Sequence, residues 1–161
     1  MNEMDRDGLI MCRMQGRIFE YSLDEDVSSA VFIRRFMNSS AAWRMDELYF
    51  LNTAQSELQV IDEMKEECRN WGYGSQKFDR EEMYWIGYIY RYWAYIWNLR
   101  SDQIYRICNG TEMKKHYYIF HSLAPEKAIE MLMEEKKYVP AFTIEEKKMK
   151  SQKIIYEKMG I

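Results

Sequence analysis

The side chains in this 161-residue sequence best equipped for chemistry are two histidines, three cysteines and a cluster of tyrosines around one arginine. His116 and His121 are five residues apart, which places them on different faces of a helix. Cys12, Cys68 and Cys108 are scattered, with no C-x-x-C spacing. Metal ligands must converge on one point, so neither set predicts a metal centre. A nucleophilic thiolate needs a neighbouring base. Cys108 and His116 are the candidates for that pairing, and no motif surrounds them. Arg106 and His116 are ten residues apart, too far for the short Arg–His spacing of minimal two-helix ribonucleases. No glycine-rich loop offers a phosphate cradle. The expectation is a non-enzyme without metal or cofactor. An enzyme built on His116, His121 or Glu82 is the minority reading.

Tyr84, Tyr88, Arg91 and Tyr95 follow one another at intervals of four, three and four residues, which is one face of a helix. Tyrosine and arginine dominate the energetics of protein interfaces, so this face is a candidate partner-binding surface. Trp71 and Tyr73, in the loop N-W-G-Y-G-S at 70–75, extend it. The plainer reading is tyrosines half-buried at a helix edge with their hydroxyls in water.

The helix that must carry this face runs from Asp79 to about Asn98. Asp79 with Glu82 has the spacing of a capping box, and Phe78 with Met83 that of a hydrophobic staple. On a helical wheel a wide arc holds Met83, Trp85, Ile86, Ile89, Tyr90, Tyr92, Trp93, Ile96 and Trp97. The arc demands apolar cover, so this helix is the expected spine of the core. The narrow arc of Tyr84, Gly87, Tyr88, Arg91, Ala94, Tyr95 and Asn98 is the one expected to stay open.

Around that spine the pattern predicts an all-α domain of about seven helices. A first helix spans Asp7 to about Ser22, with Leu9, Ile10, Met14, Ile18 and Tyr21 inward, and Gly8 and Gly16 each weaken it by about 1 kcal/mol. Ser28 caps a second over 29–38, with Val31, Phe32, Ile33 and Phe36 inward. Residues 41–46 make a short turn. A long helix covers 48–69, with Leu58, Ile61, Met64 or Lys65, and Cys68 on one face, and Asn52 or Thr53 as an alternative cap. Ser101 caps 102–108, Asn109-Gly110 ends it as a left-handed terminator, Thr111 caps 112–121, and Pro125 opens 125–137. The helical core domain is expected over 1–138. Residues 139–161 form an extension, whose Thr143/Glu146 capping box opens a Lys-rich helix over 144–158.

The totals narrow the function classes. A net charge of −3 argues against a dedicated nucleic-acid binder, although residues 136–161 hold seven lysines against three glutamates. DNA binding through Lys147, Lys148, Lys150 and Lys153 is the alternative from a different class, recognisable by steep salt dependence. An odd number of separated cysteines points to a reducing cytoplasm. No basic-then-apolar signal peptide is expected at the N-terminus, and the 83–97 run is too short and too polar to span a membrane. Aromatics at 16% and thirteen methionines suit an adaptable partner surface, a second copy of the chain included.

Four blocks carry a resemblance: F-I-R-R-F-M-N-S-S-A-A (32–42), M-Y-W-I-G-Y-I-Y-R-Y-W-A-Y (83–95), I-Y-R-I-C (104–108) and F-H-S-L-A-P-E-K-A-I (120–129). Over roughly residues 5–135 the chain resembles a family of small bacterial all-helical proteins encoded beside ADP-ribosyltransferase-like proteins, in an arrangement like toxin and antitoxin. The resemblance implies an antitoxin-like inhibitor that occludes the toxin's active site. It brings no catalytic residues with it.

Overall fold

The computed structural model describes residues 1–47, 49–140 and 158–160. Among them the fold is all-α, with no strand. In chain order the helices are α1 (Arg6–Tyr21), α2 (Ser29–Met37), α3 (Ser40–Asp46), α4 (Glu57–Glu67), α5 (Arg80–Trp97), α6 (Ser101–Ile107), α7 (Gly110–Phe120) and α8 (Pro125–Glu135). Short 3₁₀ turns at Ser22–Asp24 and Tyr49–Thr53 join neighbouring helices. The Lys-rich helix expected over 144–158, and the lysines 147, 148, 150 and 153 within it, lie outside the described residues apart from Lys158.

α5 is the axis of the core, as its wide arc requires. Trp93, Ile86, Tyr90 and Met83 are fully buried, and Ile89, Ile96, Tyr92 and Trp85 nearly so. Its start follows the expected chemistry: the Asp79 side chain and the Glu82 side chain close a capping box, and Phe78 and Met83 are both buried beside it. Asn98 ends the helix in the left-handed region at φ 51°, a conformation asparagine tolerates better than most residues.

The neighbours depart from expectation in instructive ways. The single helix expected over 48–69 is broken: Ser56, not Asn52 or Thr53, caps α4, with Gln59 completing its box. The α4 core face is then Val60, Ile61 and Met64, and Leu58 is left exposed. In α1, Met11, Cys12 and Phe19 join Met14 and Ile18 inside, while Ile10 turns outward. Asn109 is not a left-handed terminator. It has extended backbone and caps α7, accepting from the Glu112 amide, which moves the helix start to Gly110. Pro125 occupies the first turn of α8, where its missing N–H costs nothing.

Candidate contact surfaces

The narrow arc of α5 is where the structure corrects the sequence most. α1 packs along it at near-backbone distance. A Cβ on Gly87 would stand 2.7 Å from the Gln15 carbonyl oxygen, and one on Gly16 would stand 2.7 Å from the ring of Tyr84. The two glycines are the notches that let the helices meet, so Gly16 earns its unfavourable helix propensity through packing. Tyr95 lies in the same way over Gly8.

Arg91 is therefore not a surface anchor. It is 2% exposed, at the centre of a closed polar cluster. Its Nη1 donates to Asp46 Oδ1 at 2.6 Å, its Nε to Gln15 Oε1 at 2.8 Å and its Nη2 to Ser101 Oγ at 2.9 Å. Ser101 in turn donates to Asp46 from both its hydroxyl (2.7 Å) and its amide (2.9 Å). The Gln15 amide group donates to the Gly87 carbonyl at 2.9 Å. Every strong donor meets an acceptor, the condition under which a buried ion pair is tolerated. The cluster ties α1, α3, α5 and α6 together. It serves packing rather than recognition.

The tyrosines of that arc are half-buried. Tyr84 stacks on Tyr88 at 6.0 Å between ring centroids, and Tyr88 meets Tyr92 at 6.1 Å. The Tyr92 hydroxyl donates to Glu126 of α8. Tyr95 donates to Asp5 Oδ2 at 2.6 Å. Burial first, and then this hydrogen bond, push the Tyr95 phenol up to about 12. The ladder is a seam between α1 and α8.

The 70–75 loop divides. Trp71 packs edge-on against Phe32 at 6.0 Å and is half-buried, so it belongs to the core's rim. Tyr73 is 52% exposed and accepts a 2.7 Å hydrogen bond from Arg34. That contact leads to the edge formed by α2, α3 and the turn between them. There Trp43 is 56% exposed. One hollow of about 280 Å³ is lined by Arg34, Arg35, Asn38, Met64, Glu67 and Cys68, with Ser39. A second, of about 260 Å³, is lined by Met37, Trp43, Asp46, Arg100 and Asp102. Both share Asn38 and Ser39. Asn38 is pinned by donating to the Arg34 carbonyl (2.8 Å), and Ser39 by donating to the Phe36 carbonyl (2.7 Å). The result is a rigid strip, Tyr73–Arg34–Asn38–Trp43, with a hollow on each side of its middle.

Sequence reading missed Arg34, Arg35, Asn38 and Trp43. The signal was present: a buried stripe of Phe32, Ile33 and Phe36 leaves Arg34 and Asn38 on the far face of α2, and buried Ala41 and Ala42 turn Trp43 outward. The histidines stay apart. His116 faces the Glu112 carbonyl and stacks on Phe120, while His121 stacks on Tyr117. No group of three His, Cys, Asp or Glu side chains among the described residues is arranged to hold a metal ion. Nor is any described helix long and apolar enough to cross a membrane.

Fold and surface thus define the class: a single-domain all-α bundle with an aromatic–arginine strip on one edge. No family model, curated protein or solved structure matches the chain.

Proposed function

We propose that this chain is a non-enzymatic protein-binding module of the bacterial cytoplasm, and that it engages its partner through the α2–α3 edge. The observation that carries the reading is the strip itself. Trp43, Tyr73 and Arg34 are the residue types that form binding hot spots, and they stand exposed on a backbone that is already ordered. Ordering before contact lowers the entropy cost of association. Hollows on both sides of Asn38 and Ser39 give a partner's side chains somewhere to seat. The resemblance of residues 32–42 and 83–95 supplies the partner class, an ADP-ribosyltransferase-like toxin whose active site the edge occludes. The three unpaired cysteines suit a reducing compartment.

The test is co-purification and titration of the chain against an ADP-ribosyltransferase-like protein of the kind the resemblance implies as its partner. Trp43→Ala combined with Tyr73→Ala is expected to weaken binding by about 2 kcal/mol or more, roughly 30-fold, with the far-ultraviolet circular dichroism unchanged. Undiminished binding by this double variant would remove the edge from the interface. An unbound toxin would remove the partner class.

A further inference from the structure

Arg34 and Arg35 differ from the other arginines near this edge. Arg44 is bidentate on Glu63, Arg100 and Arg106 share Asp102, and Arg91 holds Asp46. Among the described residues neither Arg34 nor Arg35 has a carboxylate within ion-pair distance. Arg34 donates to the neutral Tyr73 hydroxyl, and Arg35 Nη2 donates weakly, at 3.3 Å, to the Asn70 carbonyl. Arg35 Nε is buried and has no acceptor among the described residues. A buried charged donor without an acceptor is costly, and a carboxylate is the partner that removes the cost most fully.

Both arginines line the 280 Å³ hollow, whose other walls are the apolar Met64, the Cys68 thiol, Asn38 and Ser39. Glu67 is the one anion on its lining. No ion pair among the described residues joins Glu67 to either arginine. Two cations against one anion leave the hollow positive. Cationic rim and sulfur-lined wall together match an acid carried on a small apolar body.

We propose that the Arg34–Arg35 hollow is a carboxylate-binding subsite, taking an acidic group on a short apolar stem. Its natural occupant, a carboxylate of the docked protein, rests on the α2–α3 reading above; acid binding itself does not.

Cys68 makes the site testable without a label. It is half-buried at the hollow, whereas Cys12 and Cys108 are fully buried. Burial pushes those two thiols up to about 12 and about 11, and thiols rather than thiolates alkylate slowly. Iodoacetate carries the carboxylate and iodoacetamide is its neutral counterpart. In either reaction the Cys68 sulfur displaces iodide from the methylene carbon, and the thiol proton goes to buffer. The experiment is the rate of Cys68 alkylation by each reagent, followed by intact-mass and peptide mass spectrometry.

The expected result is an iodoacetate rate that saturates with concentration and exceeds the iodoacetamide rate by about tenfold, the equivalent of one charge-assisted contact. Arg35→Gln with Arg34→Gln should abolish the preference. On the wild-type chain, N-acetyl-leucine (a terminal carboxylate) and N-acetyl-glutamic acid α-amide (a side-chain carboxylate) are the competitors. Protection by either supports the subsite, and the stronger one names the source of the acid. A rate linear in iodoacetate, or equal protection by N-acetyl-leucine amide, overturns it. Stronger protection by inorganic phosphate overturns the carboxylate assignment. If iodoacetate is preferred while Trp43→Ala/Tyr73→Ala leaves toxin binding intact, the subsite stands and the docking reading falls. If toxin binding is lost in that variant and no acid is preferred, the subsite falls alone.

Discussion

The α1–α5 seam and the α2–α3 edge are made from the same kinds of residue and have opposite fates. Each sets arginine among aromatics: Tyr84, Tyr88, Arg91 and Tyr95 along one helix, and Arg34 and Arg35 of α2 with Tyr73 of the 70–75 loop and Trp43 of α3 in the other. On the seam the arginine is swallowed, and its donors meet Asp46, Gln15 and Ser101. On the edge two guanidiniums have between them a hydroxyl, a carbonyl and one orphan N–H among the described residues. The difference lies in supply. α3 and α6 bring an aspartate and a serine to Arg91, while Glu67, the acid on the hollow that Arg34 and Arg35 line, forms no ion pair with either among the described residues. What separates an internal brace from a contact residue is the company other elements provide.

The sharpest way to break the comparison is to empty the seam. Arg91→Leu leaves Asp46 buried without its cation, and the expected loss is about 3–5 kcal/mol of unfolding free energy by urea titration. Adding Asp46→Leu removes the uncompensated charge and should recover a large part of that loss. An Arg91→Leu protein as stable as the parent would show the cluster to be dispensable. Next in size is Gly87→Ala. Its better helix propensity is outweighed by the clash with the Gln15 carbonyl, which is backbone and cannot turn aside. A net loss of about 1–3 kcal/mol is expected from the same titration. At the edge, by contrast, Trp43→Ala and Tyr73→Ala should each change stability by less than about 1 kcal/mol, because both rings are more than half in water. A melting temperature that collapses with Trp43→Ala would reassign that ring to the core.

The smallest expected effect is with pH. Hydrogen bonds from Arg44 first, against the opposing effect of burial, hold the Glu63 carboxyl below its usual 4.5. A lowered folded-state value means stability that is present above the unfolded value and fades as pH falls through the folded one. Unfolding free energy should therefore decline below about pH 4.5, and Glu63→Gln should flatten that decline. At the alkaline end the sign reverses. Tyr95, raised to about 12, contributes stability that is whole below 10 and lost towards 12. Tyr95→Phe should blunt the alkaline decline in a pH series of thermal melts.

The axis of the fold was legible because it is written locally. Asp79, Glu82, Phe78 and Met83 lie within six residues, and cap, staple and apolar arc all follow from spacing. Pro125 marks α8 for the same reason. Arg91 was not legible, since its partners Asp46 and Gln15 are 45 and 76 residues away and nothing in their neighbourhoods marks them as its mates. Leu58 failed differently: the start of α4 moved from the expected 48 to Glu57, with Ser56 as cap, and Val60 took its place beside the expected Ile61 and Met64. Tyr73 was picked out for its exposure in a glycine-rich loop and stands exposed, while Trp71 from the same loop found Phe32.

One further matter follows from the way α1 is seated. Its glycines are cut to receive rings that α5 alone brings, and Asn2 donates to the carbonyls of Tyr95 and Ile96 at that helix's far end. On a ribosome making about 5–20 residues per second, the opening helix must wait several seconds for its mate to emerge. During that interval Phe19 can meet Phe32 and Phe36 of α2, but the face of α1 that α5 covers stays bare. A nascent chain halted before residue 80 thus has its first helix resting on α2 and α4 alone, with the notches at Gly8 and Gly16 unfilled.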